Sequence, residues 1–320
     1  MISAERPLVV IVTGPTAVGK TQVSILLAQL LNGEIISADS MQVYRYMNIG
    51  TAKSDIEEQM GVPHHLIDVV DPDERFTVAD FQKLAIHKIK EIHQRGAIPI
   101  VTGGTGLYLH SLLFQMDFSQ VNNASELRQQ LEEEAMEKGN HILYQRLQSL
   151  DPAAAHRIHP HNVKRVIRAL EVILESAGGI SDFSSELTRS EMFRFSTYII
   201  NEDRQALYQR INQRVDLMLS QGLEMEVRYL LDKGYSINAP ALLGVGYKEL
   251  IRYFQGETGY EEAVELIKRN SRRYAKRQLT WFKKLPEAKW LSIDSSQNRQ
   301  SEMHRMAGII SHYVKQAMEG

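Results

Sequence analysis

The chain has no cysteine among its 320 residues. Disulfides, thiolate metal sites and a cysteine nucleophile are thereby excluded. It also lacks any apolar run approaching the roughly 20 residues of a membrane-spanning helix. Its N-terminus has no signal-peptide shape. These absences point to a cytoplasmic protein with no membrane contact. An excess of one charge is missing too, since 37 basic and 39 acidic residues leave a net charge of −2. Bulk electrostatics therefore selects no polyanion, and any such partner needs charge segregated along the chain. At 43% hydrophobic and 24% charged residues, the composition fits a globular chain of one large domain or two. No internal repeat is present.

Against these absences stands Gly14-Pro15-Thr16-Ala17-Val18-Gly19-Lys20-Thr21. It has the G-x-x-x-x-G-K-T form of a phosphate-cradling loop. Before it, Leu8 to Val12 is an unbroken apolar run, as a buried parallel strand requires. After it, Val23, Ile25, Leu26, Leu27, Leu30 and Leu31 recur at helical spacing. Strand, loop and helix together make an anion site. Loop amides and the helix N-terminus face a phosphate, Lys20 adds a full charge, and Thr21 can hold a magnesium ion.

Further strand signals follow at Glu34 to Ser37, His65 to Val70 and Ile98 to Val101. Asp39 lies just past the second strand, where open α/β sheets place ligands, although a turn or helix cap uses aspartate equally well. Thr77-Val78-Ala79-Asp80 is a capping box for a helix through about Gln94, stopped by Gly96. Thr102-Gly103-Gly104-Thr105-Gly106-Leu107-Tyr108 is a second glycine-rich strand-to-helix turn. It serves either a ligand or only tight geometry.

After about Gln115 the pattern turns helical, with helices at 125–138, 142–150 and 162–172 and a glycine- and serine-rich loop at 176–190. The apolar run Phe193 to Ile200 then returns to the sheet. Asp203 caps a helix through Leu219, carrying Arg210 and Arg214 on one face. The expected class is α/β: a P-loop NTPase-like parallel sheet flanked by helices. Its core would span 1–115 and 197–320, with a mostly helical insertion at 116–196.

Positive charge collects late. Lys268, Arg269, Arg272, Arg273, Lys276, Arg277, Lys283 and Lys284 fall with no carboxylate among them, interleaved with Tyr274, Trp281 and Phe282. Cations beside aromatic surface suit a nucleic-acid backbone and a stacked base. His156, His159 and His161 are close in sequence, but Pro160 breaks the helix that would align them as metal ligands.

Two chemistries fit these parts. A small-molecule kinase would use Asp39 as base toward an acceptor hydroxyl. No N-K-x-D guanine signature is present, and the strand at Ile98 runs into glycines rather than the usual magnesium-holding aspartate; Asp68 keeps that second test open. Alternatively the loop holds diphosphate as a leaving group, and Asp39 takes a proton from an attacking base amine.

The chain resembles the bacterial tRNA dimethylallyltransferases, also called tRNA isopentenyltransferases. The resemblance rests on the phosphate loop with Ser37-Ala38-Asp39-Ser40-Met41-Gln42-Val43-Tyr44, Gly50-Thr51-Ala52-Lys53, His64-His65-Leu66-Ile67-Asp68, Gly103-Gly104-Thr105-Gly106-Leu107-Tyr108, Arg165 to Val172 and Tyr274-Ala275-Lys276-Arg277-Gln278. It implies magnesium-dependent transfer of a dimethylallyl group from dimethylallyl diphosphate to N6 of adenosine 37 in tRNAs reading codons that begin with U. Gly14 to Thr21 and Arg214 would bind the diphosphate, Lys20 within the loop adding its charge. Asp39 would be the base, with Thr105 assisting. Ser40, Met41 and Gln42 would contact the flipped adenosine and its neighbours. Arg128 and Asn162, Val163, Lys164, Arg165 and Val166 would touch the anticodon stem-loop. A monomer is expected. The chain departs from the family at Ala177-Gly178-Gly179-Ile180-Ser181, where a Gly-Lys-Pro-like turn is usual, and at Ser271, where threonine is usual.

Overall fold

A computed structural model describes residues 6–116, 124–175 and 188–319. Its first strand, β1 (Leu8–Thr13), is buried at every position. β1 sits between two parallel neighbours, and since successive side chains point to opposite faces, its burial at every position means that both faces are covered and no polar alternation survives in its sequence. Burying its five aliphatic side chains contributes on the order of 10 kcal/mol before chain entropy is counted.

The chain then runs through helix α1 (Lys20–Leu31), β2 (Gly33–Ser37), β3 (His64–His65), α2 (Val78–Gln94), β4 (Ile98–Gly103) and α3 (Gly106–Leu113). Thr77 and Asp80 form the reciprocal capping box at the start of α2. The strand expected from His65 to Val70 stops after His65. Leu66 and Asp68 take positive φ values of 61° and 56°, which turn the backbone out of the extended region.

Phe114–Arg189 is a separate unit, built from α4 (Ala124–Lys138), α5 (Asn140–Leu150), α6 (Pro152–Arg157) and α7 (Val163–Glu175). Its own core packs Leu131, Leu143, Leu147, Val166, Ile167 and Leu170. The sequence boundaries of 116 and 196 shift because Phe114 bridges Arg189 and Arg194 already belongs to the sheet. Asp151 ends α5 and caps α6, accepting from the Ala154 amide at 2.8 Å. His159 and His161 lie beyond α6 in an exposed turn, consistent with the break at Pro160. The variant turn at 177–181 lies outside the described residues.

The first unit resumes at Ser190. It continues with β5 (Arg194–Asn201), α8 (Arg204–Ser220), α9 (Leu223–Asp232), α10 (Tyr247–Phe254), α11 (Tyr260–Phe282), β6 (Lys289–Ser292) and α12 (Arg299–Glu319). The six strands are all parallel, in the order β3-β2-β4-β1-β5-β6. The phosphate loop, Asp39, the Gly103–Thr105 turn and Glu202 therefore emerge from the carboxyl ends of four adjacent strands, β1, β2, β4 and β5. Parallel α/β sheets gather ligands at this edge.

Candidate active site

The loop between β1 and α1 needs backbone that most residues avoid. Gly19 caps α1 at φ 99°, and a Cβ there would lie 2.7 Å from both Arg299 Nη2 and Met303 Sδ. Arg299 donates to the Val18 carbonyl. In a planar trans peptide the carbonyl and the next amide point oppositely. Holding the Val18 carbonyl toward Arg299 thus turns the Gly19 N–H the other way, as a phosphate cradle requires. Arg299 is itself held by Glu202 at 3.3 Å, and the fully buried Glu202 carboxylate also pairs with Arg210 at 2.7 Å.

A second brace joins the two glycine turns. Gln278 on α11 accepts from the Thr16 N–H at 2.8 Å and donates to the Gly104 carbonyl at 3.0 Å. Thr13 closes the same junction by donating to the Gly103 carbonyl at 2.7 Å. A Cβ on Gly103 would overlap the Ala38 backbone, so only glycine permits this approach of β4 to the segment carrying Asp39.

Asp39 follows Ala38, whose N–H bonds Thr102 and whose carbonyl accepts from the Thr105 N–H at 3.1 Å. One Asp39 oxygen accepts from the Met41 amide at 2.9 Å, which orients the carboxylate. The Thr105 hydroxyl accepts from the Ser40 N–H at 2.9 Å and donates to the Ser40 hydroxyl at 3.2 Å. Tyr274 bonds Thr105 and Gln278 from α11. Burial and the nearby Asp39 charge push the Tyr274 phenol well up, so it stays a neutral group.

Electrostatics is concentrated at one end of the site. Burial and the neighbouring Arg214 guanidinium push Lys20 down to about 8, while Asp39 pulls the other way. Arg214 is also lowered by burial, with Asp39 and Glu58 opposing. Two cations and one carboxylate therefore share a poorly hydrated space. Lys20 donates to the Pro15 carbonyl at 2.9 Å, inside its own loop. An anion between Lys20 and Arg214 would relieve their repulsion.

Asp39, Arg214 and Tyr274 line a cavity of about 330 Å³. Thr16, Asp39, Ser40, Arg214 and Arg277 supply polar edges, and Met41, Ile211, Val215, Met218, Leu223 and Ile267 supply apolar wall. It can take a small apolar group attached to an anion, beside a carboxylate able to accept a proton.

Not every residue expected at a substrate lies there. Gln42 stands behind the lining: Ser37 donates to its oxygen at 2.9 Å, and its nitrogen donates to the Thr51 and Ala52 carbonyls at 3.3 Å each. Val166 is 1% exposed within the core of the Phe114–Arg189 unit, so its side chain packs rather than reaching RNA. Asn162, Lys164 and Arg165 beside it are exposed, and Val163 is half-buried. Arg128 pairs with the buried Glu171, its Nε 2.8 Å from one carboxylate oxygen and its Nη2 donating to the other at 3.3 Å. The basic helix divides. Lys268 pairs with Asp216 at 2.7 Å and Arg272 donates to Asn212 at 2.5 Å, both toward α8, whereas Lys276 and Arg277 are exposed. Cross-helix partners such as these leave no mark in sequence spacing. Gln278 sat inside a recognisable motif without an assigned task, and Arg299 carried no signal at all.

Residues 42–285 match the family model for IPP transferase. The tRNA dimethylallyltransferase of Alkaliphilus oremlandii is 53% identical over 90% of this chain and 93% of its own length. That of Clostridioides difficile is 51% identical over 97% of this chain and 98% of its own. The solved tRNA isopentenylpyrophosphate transferase of Bacillus halodurans superposes with a TM-score of 0.70 at 42% identity, covering 99% of this chain and all of that one. A eukaryotic dimethylallyltransferase, solved acting on tRNA, gives a TM-score of 0.82 at 30% identity over 97% of this chain and 80% of that one.

Proposed function

The chain belongs to the IPP transferase family, the tRNA dimethylallyltransferases, and we propose on that premise that its cavity joins dimethylallyl diphosphate to N6 of adenosine 37 in tRNA. The observation that carries this reading is that Asp39 and Arg214 line, with Thr16 and Ala17 of the phosphate loop, a cavity with apolar walls, and that both charges act on Lys20. A kinase needs the anion site and the base but not the apolar wall.

In this mechanism the loop amides of Ala17 and Gly19 to Thr21, with Lys20 and Arg214, grip the diphosphate; the Thr16 amide stays with Gln278. The dimethylallyl group rests on the wall formed by Ile211, Val215 and Met218. N6 attacks the carbon bonded to diphosphate oxygen; the C–N bond forms, the C–O bond breaks, and the N6 proton passes to Asp39. Negative charge grows on the leaving diphosphate where Lys20 and Arg214 already wait, so the chain need not reorganise as the bond breaks. Thr105 keeps the Asp39-Ser40 segment rigid through its two bonds to Ser40. Ser40 and Met41 meet the flipped base, and Gln42 supports them from behind.

A magnesium ion, when bound, neutralises charge on the diphosphate. Thr21, exposed in the first turn of α1, would hold it together with substrate oxygens and water.

For the tRNA we assign the exposed Lys276 and Arg277 on α11 and, in the Phe114–Arg189 unit, Asn162, Lys164 and Arg165 with Arg128 as a secondary contact. The acceptors would be tRNAs reading codons that begin with U. The test is a transfer assay with magnesium, labelled dimethylallyl diphosphate and such a tRNA lacking the modification. Label should appear on adenosine 37, and should vanish in Asp39→Ala while tRNA binding and folding persist. Undiminished transfer by Asp39→Ala would remove the base from the mechanism.

A further inference from the structure

Glu226 on α9 takes no part in the chemistry above, yet its carboxylate accepts four hydrogen bonds. The Asn48 and Ile49 amides donate to one oxygen at 2.7 Å each; the Gly50 amide at 3.0 Å and the Tyr247 hydroxyl at 2.6 Å donate to the other. Three successive amides converging on one point form an anion nest. Here the chain fills the nest with its own side chain.

The loop that carries the nest also borders the cavity, through Gly50 and Thr51. Its Thr51 and Ala52 carbonyls fix the Gln42 amide, which lies one residue beyond the lining residue Met41. Lys53 ties the other end, donating to the Tyr44 carbonyl at 2.5 Å and to Asp68 at 2.6 Å. Gly50 is seated against Tyr247, where a Cβ would stand 2.5 Å from the phenol oxygen. Met47, fully buried, and Ile49 anchor the loop in an apolar cluster. Losing the carboxylate therefore leaves the loop attached but frees the peptide planes at 48–50 to turn.

We infer that Glu226 is a positioning residue for the acceptor: it sets the orientation of the Gly50–Thr51 rim and, through Gln42, of the Ser40–Met41 wall that the incoming adenosine meets. This rests on the transferase reading. All four of its bonds go to the 48–50 amides and Tyr247, so its influence falls on the nucleic-acid substrate rather than on the diphosphate held by Lys20 and Arg214.

The experiment compares wild type, Glu226→Gln, Glu226→Asp and Tyr247→Phe in steady-state transfer, varying tRNA and dimethylallyl diphosphate separately. Glutamine keeps the size but turns an NH₂ toward donors that need an acceptor. In Glu226→Gln, KM for tRNA should rise at least about tenfold while KM for the diphosphate stays within about twofold. Tyr247→Phe, which removes one donor of four, should give a smaller rise, and Glu226→Asp should recover part of the loss. Hydrogen exchange of the 48–50 amides should quicken in Glu226→Gln at unchanged far-UV circular dichroism. Parallel rises in both KM values, or exchange and tRNA KM both unchanged, would overturn the inference. Wild-type protein without transfer would instead refute the transferase reading, and amide exchange would still report on the nest.

Discussion

Lys20 offers the most direct quantitative test of the site. Burial and Arg214 bring it from 10.5 to about 8. At 1.36 kcal/mol per unit, that is a penalty of about 3 kcal/mol for keeping the ammonium charged in the empty site. The folded value lies below the unfolded one, so the unfolded chain binds more protons between about 8 and 10.5. The penalty is complete below about 8, and the stability of the empty protein rises with pH across that window. On the proposed reading, bound diphosphate places negative charge between Lys20 and Arg214 and reverses the balance. Binding above pH 8 must then draw a proton onto Lys20. The ligand's own last proton leaves near the ~6 of a phosphate monoester, below this range. Uptake should be about half a proton per ligand at pH 8 and close to one at pH 9, with affinity falling up to about tenfold per pH unit above 8. Titration calorimetry of dimethylallyl diphosphate in buffers of different ionisation enthalpy measures the uptake. Arg214→Gln removes a cause of the depression and should move the inflection upward; Asp39→Asn removes the opposing charge and should move it downward. Proton uptake near zero at pH 9, or an inflection indifferent to Arg214, would refute the reasoning.

Two further outcomes follow from the surroundings of the site. Gly103→Ala forces β4 away from Ala38 and should cost about 1–3 kcal/mol in a denaturant titration, with transfer falling more steeply than stability because Asp39 and Thr105 both shift. Lys276→Ala with Arg277→Ala should weaken tRNA binding and reduce the slope of log affinity against log salt by about 1–2, as read by filter binding across a salt series; an unchanged slope would remove these residues from the RNA surface.

Much of this was legible in the sequence because its signals are local. The glycine loop, the Thr77–Asp80 capping box and the buried run of β1 each declare themselves within a few residues. Asp39 was placed by the end of β2 alone, but its choice between turn residue and ligand was not. The structure supplies the turn use, a bond from the Met41 amide, on a carboxylate that also lines the cavity. What remained hidden depends on distant pairing. β3 shortened because Leu66 and Asp68 adopt left-handed backbone that no local pattern marks. Lys268 and Arg272 looked like part of one basic face until α8 supplied Asp216 and Asn212. Val166 carried a family expectation of RNA contact, although its spacing with Ile167 and Leu170 already matched a core stripe. Arg299, Gln278 and Glu226 act on backbone carbonyls and amides. Such targets exist at every position and so leave no complementary residue to find.

The brace on the phosphate loop has a consequence for how the protein is made. Val18 and Arg299 are 281 positions apart, so the ribosome completes the loop long before it completes the support on the loop's outer side. Until α12 has emerged and docked on α1, the Val18 carbonyl has no guanidinium to orient it, and the adjacent amide is free to face either way. A nascent chain holding every residue that touches substrate would still lack a fixed cradle. Catalytic competence in this molecule is thus tied to a late event in synthesis, and an alteration within α12 would be felt first at the opposite end of the sequence.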